Sequence, residues 1–235
     1  MVKAVAFLLF PGFEVLDVYG PLSIFSSPKL EGAYKVITVA ENAGPIVASN
    51  GVATVASESF ETCQPLDILL IPGGIGTRNE VGNEELLAFI KKHASFKHLP
   101  STVLTVCTGA ALAAKAGLLK GMRATTNKAA WAWATAQSDE TTTWLKTARW
   151  VEHGQIWTSA GVSAGIDMAL AFIAQTNGVE IARRVAAYAE YNGDFLDSSN
   201  DPWGRLIDTL SQLEMIDPDW DACVTADLVL SKCLK

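Results

Sequence analysis

Four segments of the chain are predominantly apolar and rich in β-branched side chains: residues 2–10, 34–40, 66–71 and 102–106. A strand covered on one face alternates apolar and polar positions, so runs this uniform are expected of central strands buried on both faces of a parallel sheet. Between and after them, apolar residues recur at helical spacing over 13–25, 83–93, 108–119, 163–176 and 179–188. Strands alternating with helices imply βαβ units with right-handed crossovers. The predicted fold is therefore α/β, a three-layer sandwich around a mainly parallel central sheet. Two shorter hairpins, 46–55 around Asn50-Gly51 and 150–158 around His153-Gly154, are expected to decorate that sheet.

With 235 residues, 49% hydrophobic and 18% charged, the chain can bury a sizeable core. The expected organisation is one domain over 1–195 and an extension over 196–235 packed on it, with a helix at 203–215. A net charge of -7, with no Lys/Arg cluster, argues against a nucleic-acid partner. No apolar stretch reaches membrane-spanning length, and residues 4–10 run into Pro11-Gly12-Phe13-Glu14 without a small-residue cleavage site, so they read as the first core strand. Cys63, Cys107, Cys223 and Cys233 form no CxxC and no cysteine-histidine spacing, which gives neither a zinc signature nor a disulfide framework. A reducing cytoplasm is the simplest compartment, and Cys63, Cys223 and Cys233 read as structural.

Cys107 differs from the other three because it ends a β-branched run and is followed at once by an alanine-rich helix. Such a nucleophile elbow sets the sulfur near the unpaired N–H groups and positive end of the helix, which favours thiolate. This segment alone is equally compatible with a small buried hydrophobe. Pro11-Gly12, Pro72-Gly73-Gly74 and Cys107-Thr108-Gly109 all follow strands, at the sheet edge where ligands of open α/β folds gather. A Pro-Gly-Gly turn lets backbone N–H groups approach a ligand.

A thiolate needs a proton partner. His93 and His98 lie among lysines and read as solvated surface, while His153 sits at a hairpin tip, so a cysteine-histidine dyad finds little support. Glu14 and Asp17 on the first helix are the alternative; apolar neighbours on every side are expected to raise the pKa of a buried acid there. Periodicity does not choose between them, since each shares a face with apolar residues. Trp131, Trp133, Trp144, Trp150 and Trp157 fit either a pocket wall or core and dimer contacts, and Ser163 reads as a helix cap.

Taken in order, Phe7-Leu-Leu-Phe-Pro-Gly-Phe13, Leu16-Asp-Val-Tyr-Gly-Pro21, Ile71-Pro-Gly-Gly74, Val106-Cys-Thr-Gly-Ala110 and the stretches 116–126 and 157–170 resemble the ThiJ/PfpI superfamily. Within it they look most like the isonitrile hydratase (cyclohexyl-isocyanide hydratase) branch. The resemblance covers the first five sixths of the chain and implies a flavodoxin-like homodimer that needs no metal or organic cofactor. Its implied activity is a hydro-lyase adding water to a small-molecule isonitrile to give an N-substituted formamide. By motif, Cys107 is the implied nucleophile, Asp17 the acid/base and Thr108 the catalytic neighbour of the cysteine, with the N–H groups of Gly74 and Thr108 at the anion-stabilising pocket. Superfamily proteases carry histidine where this chain has Thr108, and glyoxalase or deglycase relatives typically carry glutamate at Asp17. Asn127 stands where many relatives have histidine. The alternatives kept open are a redox or stress sensor oxidised at Cys107, a glyoxalase/deglycase activity on α-oxoaldehydes, and a ligand-binding module retaining the site as a relic.

Overall fold

The uniformly apolar runs become the middle of a seven-stranded sheet. The computed structural model describes residues 2–94, 101–199 and 201–204. Its strands are β1 (Lys3–Leu8), β2 (Tyr34–Ala40), β3 (Gly44–Val47), β4 (Ala53–Ala56), β5 (Glu58–Ser59), β6 (Ile68–Ile71), β7 (Thr102–Thr105), β8 (Arg123–Ala124), β9 (Thr143–Trp144), β10 (Trp150–His153) and β11 (Ile156–Ser159). The helices are α1 (Val15–Phe25), α2 (Thr77–Glu80), α3 (Glu84–His93), α4 (Gly109–Lys115), α5 (Trp131–Thr135), α6 (Val162–Asn177) and α7 (Val179–Tyr188). The main sheet runs β10-β11-β7-β6-β1-β2-β5, parallel throughout except for β10 against β11. This is the α/β sandwich expected from the alternation, and the flavodoxin-like architecture that the resemblance implies.

From β1 the chain moves to β2 on one side, whereas from β6 it moves through β7 to β11 on the other. Right-handed crossovers in opposite directions put α1 on one face and α3 and α4 on the other. The chain then returns to the α1 face, where α6 packs between α1 and α7. Phe25 ties these layers together, its ring meeting Phe7 of β1 at 6.3 Å, Tyr34 of β2 at 5.2 Å and Phe172 of α6 at 5.9 Å. Truncating such a ring to alanine costs about 3–5 kcal/mol. The strand order reverses between β1 and β6, and ligands of open sheets bind outside the carboxyl ends of the strands at that place.

Two features depart from the expected layout. The 150–158 hairpin is part of the sheet rather than an ornament: β11 pairs in parallel with β7 over Ile156↔Val103 to Thr158↔Thr105, and all four of its residues are buried. The 46–55 hairpin does stand apart, as β3 and β4 in a sheet of their own. Asn83, where the helical pattern over 83–93 begins, is the cap of α3, its side-chain oxygen accepting from Glu85 N and Leu86 N at 3.1 Å each. Ser163 is not a cap: α6 begins after Gly161, and the Ser163 hydroxyl instead accepts from Arg149 at 3.1 Å. Of the extension, Ser198 O accepts from Arg149 N at 2.8 Å and Asp201 N donates to Thr147 O at 3.0 Å. Past Gly204 the helix expected at 203–215 lies outside the described residues, as do His98, Cys223 and Cys233.

Candidate active site

β7 ends at Thr105 and α4 begins at Gly109, so three residues must reverse the chain between strand and helix. Cys107 takes the turn at φ 57°, in the left-handed region where a side chain crowds its own backbone and where single residues cost about 1–3 kcal/mol. The conformation is held from both sides. Cys107 N donates to Ala160 O beyond β11 at 2.8 Å, and Cys107 O accepts from the Thr126 hydroxyl at 2.9 Å. This strained elbow sets Cys107 against the Pro72-Gly73-Gly74 turn. A Cβ at Gly73 would lie 2.6 Å from Thr108 N and 2.8 Å from Cys107 Cβ, so only glycine lets the two loops meet.

The same turn decides between the two acids of the first helix. Glu14 is consumed as the N-cap of α1, accepting from Leu16 N at 3.4 Å and from the Ser49 hydroxyl at 3.3 Å. Asp17, one turn further on, is 0% exposed; its Oδ2 accepts from Gly73 N at 2.8 Å, while Oδ1 is buried and takes no conventional hydrogen bond. Burial pushes the Asp17 carboxyl up to about 7, helped by the nearby Glu14 charge and opposed by the Gly73 N–H and the Cys107 thiol. Asp17 and Cys107, 90 positions apart in the chain, are thus electrostatic neighbours across the switch point.

The sulfur does not rest as the thiolate that the elbow alone suggests. Burial and then the Asp17 charge push the Cys107 thiol well above its ordinary range, more than the Thr108 N–H and hydroxyl and the Arg78 guanidinium pull it down. The Thr108 N–H at the start of α4 pulls the thiol down but is outweighed by this burial. At neutral pH the thiol therefore keeps its proton and the carboxyl titrates beside it.

Thr108 is buried, and its hydroxyl accepts from Gly74 N at 3.1 Å, so that N–H is occupied in this conformation. Thr77 joins the cluster, its hydroxyl 2.7 Å from Gly74 O and 3.1 Å from Thr108 Oγ1. Arg78 donates to Thr77 Oγ1 at 3.2 Å and lies 4.0 Å over the Trp133 ring, bridging α2 to α5. Thr77 and Arg78 carried no signal in the sequence, and Thr126, although inside the 116–126 stretch, was given no part there, because each acts through a fold contact.

His93 and His153 stay out of the site. His93 is not solvated: it is 5% exposed, lies 4.4 Å from the Phe89 ring, and burial brings its pKa down to about 4. His153 Nδ1 accepts from Arg123 N at 2.9 Å, far along the sheet. Asn127 accepts from Ala130 N at 3.0 Å and starts the turn into α5. Trp150 and Trp157 are core; Trp131 and Trp144 are half-buried and meet edge to face at 6.1 Å. Cavities of about 520 and 300 Å³ open elsewhere, along Trp144, Lys146 and Ser198 and along Asp67, Gln155 and Gln175, and neither is lined by Asp17 or Cys107. Among the described residues no group of three His, Cys, Asp or Glu side chains is placed to hold a metal ion.

The chain has relatives among known proteins. The chain is 34% identical over 192 residues to an isonitrile hydratase of Pseudomonas putida, covering 81% of this chain and 79% of that protein. It is 29% identical over 184 residues to the HTH-type transcriptional regulator CdhR of Pseudomonas aeruginosa, covering 77% of this chain and 52% of the regulator. Among solved structures, a THiJ/PfpI family protein from Pseudomonas syringae superimposes with a TM-score of 0.75 at 26% identity, over 92% of this chain and 88% of that one. The sequence model of the DJ-1/PfpI family matches residues 3–175, which takes in the first strand, the Pro-Gly-Gly turn, the cysteine elbow and most of α6. The chain belongs to the DJ-1/PfpI family.

Proposed function

We propose that the protein adds water to a small isonitrile to give an N-substituted formamide, with Cys107 as nucleophile and Asp17 as proton carrier. The observation that carries this reading is a buried carboxyl, with one unpartnered oxygen and the other held by Gly73 N–H, set beside the thiol of the positive-φ elbow. The terminal carbon of an isonitrile has to gain a nucleophile and a proton at the same atom, and these two groups supply both. The 34% identity to an isonitrile hydratase supports the reading.

Ionised Asp17 takes the thiol proton as sulfur attacks the terminal carbon, and returns that proton to the same carbon. The product is a thioimidate, with a new S–C and a new C–H bond and no net change in proton count. Water then adds to this carbon. Asp17 relays one water proton to the nitrogen; the C–S bond breaks, the formamide leaves, and the second water proton restores the thiol. The Thr108 N–H and hydroxyl flank the sulfur and steady the oxygen of the tetrahedral adduct. Gly74 N–H joins them once the Thr108 side chain, which now occupies it, rotates away.

The test is direct. Purified protein incubated with cyclohexyl isocyanide yields the formamide, and Cys107→Ala, folded, does not; turnover retained in that variant overturns the reading. Preferential peroxide oxidation of Cys107 without any turnover would favour the redox sensor, against which the raised thiol pKa and burial both speak. The same reading takes the protein as a homodimer in a reducing cytoplasm. Leu16 and Tyr19 on α1 and Val47, Val52 and Val55 on the β3–β4 hairpin are exposed apolar residues that a second copy would cover, and Cys63 and Cys107 are free thiols. Light scattering at micromolar concentration checks the dimer; a monomer mass removes it.

A further inference from the structure

Lys128 is buried and has no part in the chemistry above. Its ammonium donates to Thr125 Oγ1 at 2.8 Å, Thr126 O at 3.1 Å and Ala148 O at 3.1 Å, one acceptor for each of its three N–H bonds. Its counter-charge comes from the extension: Asp201 Oδ2 lies 3.4 Å away, with the two side chains 4% and 1% exposed. The loop that Lys128 braces is the one whose Thr126 hydroxyl holds Cys107 O. A chain of contacts therefore runs from Asp201 through Lys128 and Thr126 to the strained nucleophile.

We propose that Lys128 and Asp201 are positioning residues for Cys107, the extension lending a buried carboxylate without which the loop clamping the elbow slackens. Burial brings Lys128 down to about 8, the Asp201 charge opposes that fall, and Lys146 and Arg149 add to it. Without the carboxylate, Lys128 loses its proton near neutral pH. A neutral amine has two donors for three acceptors, so one of the loop contacts must go. Cys107 carries positive φ only while both its backbone groups are held, so a slackened Thr126 lets the elbow relax and draws the sulfur away from Asp17. A purely structural ion pair would alter stability and leave the thiol as it is.

This inference rests on Cys107 as the reactive group of the proposed function, and its test does not depend on which substrate that group takes. Asp201→Asn and the uncharged pair Lys128→Met/Asp201→Asn are compared with wild type by the rate of iodoacetamide alkylation of the Cys107 peptide across pH. Thermal unfolding is measured alongside. A released thiol is more accessible and less perturbed, so both variants alkylate at least fivefold faster at neutral pH, with a lower pH midpoint. The uncharged pair regains much of the stability lost in Asp201→Asn, because no buried amine has to give up its proton or stay charged without a counter-charge. Asp201→Glu, which keeps the counter-charge, restores the wild-type profile. Alkylation within twofold of wild type in both neutral variants, or failure of both to fold, overturns the proposal in favour of a structural bridge. Absence of isonitrile turnover in the wild type would overturn the proposed function and leave this result standing.

Discussion

Asp17→Asn separates what the site costs from what it does. In the folded chain the Asp17 carboxyl sits at about 7 against an ordinary 3.8, because it is wholly buried. The sign follows from linkage. A group whose folded pKa is raised stabilises the fold fully below its unfolded pKa and loses that contribution as pH rises through the folded value. The interval of about 3 units, at 1.36 kcal/mol each, gives an upper limit of about 4 kcal/mol lost between about pH 4 and about pH 8. Asparagine does not titrate, keeps an oxygen for the Gly73 N–H, and leaves only an unpartnered amide at the Oδ1 position, which costs about 1 kcal/mol at every pH. The variant is therefore slightly less stable than wild type at the acid end and more stable by about 2–3 kcal/mol at the alkaline end, while its turnover is abolished. Urea denaturation of both proteins across this range measures the difference, and perturbations shared by the two cancel. Cys107 does not interfere, since its thiol titrates above this window. A difference that varies by less than about 0.5 kcal/mol over the range would show that the carboxyl is not held in a dry, raised state, and the proton-carrier role would fall with it.

Because Cys107 keeps its proton, the base must be ionised Asp17, so kcat/KM for an uncharged isonitrile rises with pH to a plateau, with a midpoint near the Asp17 value of about 7. A rate that instead climbs only with thiol ionisation, well above neutrality, refutes this order of proton transfers. Gly73→Ala forces a Cβ to 2.6 Å from Thr108 N; overpacking of this kind costs about 1–3 kcal/mol in thermal or urea unfolding, and turnover drops by at least a hundredfold. Unchanged kinetics in that variant would mean that the two loops do not need their close approach. His93, neutral in the fold at a pKa of about 4 against an ordinary 6.5, gives up at most about 3 kcal/mol as pH falls from about 6.5 to about 4. Replacing it with leucine flattens that part of the stability profile, and a curve that keeps its slope locates the acid sensitivity elsewhere.

Much of this molecule is written in local order. The β-branched runs at 34–40 and 102–106 become β2 and β7 nearly residue for residue; β7 is covered on both faces as such a run leads one to expect, whereas β2, next to the short edge strand β5, leaves Lys35 exposed and Val36, Ile37 and Thr38 half-buried. Asn83 marks the start of α3 because a cap bond closes over two or three residues and needs nothing remote. Cys107 and Pro72-Gly73-Gly74 are likewise readable, as a strand-to-helix junction and a turn. The protonation and choice of the reacting groups belong to the tertiary structure. Glu14 and Asp17 share one helix and the same apolar company in sequence; what tells them apart is that Asp17 faces a Gly73 N–H delivered by a different strand. Desolvation is a sum over neighbours that the chain brings from far away, so the helix N-terminus, visible locally, is outweighed at Cys107 by burial that is not. For the same reason His93 reads as surface among its lysines and lies against Phe89, and the Lys128–Asp201 pair, 73 positions apart, has no sequence signature at all. Periodicity fixes which elements form; only their packing sets the dielectric and the partners that decide where each proton resides.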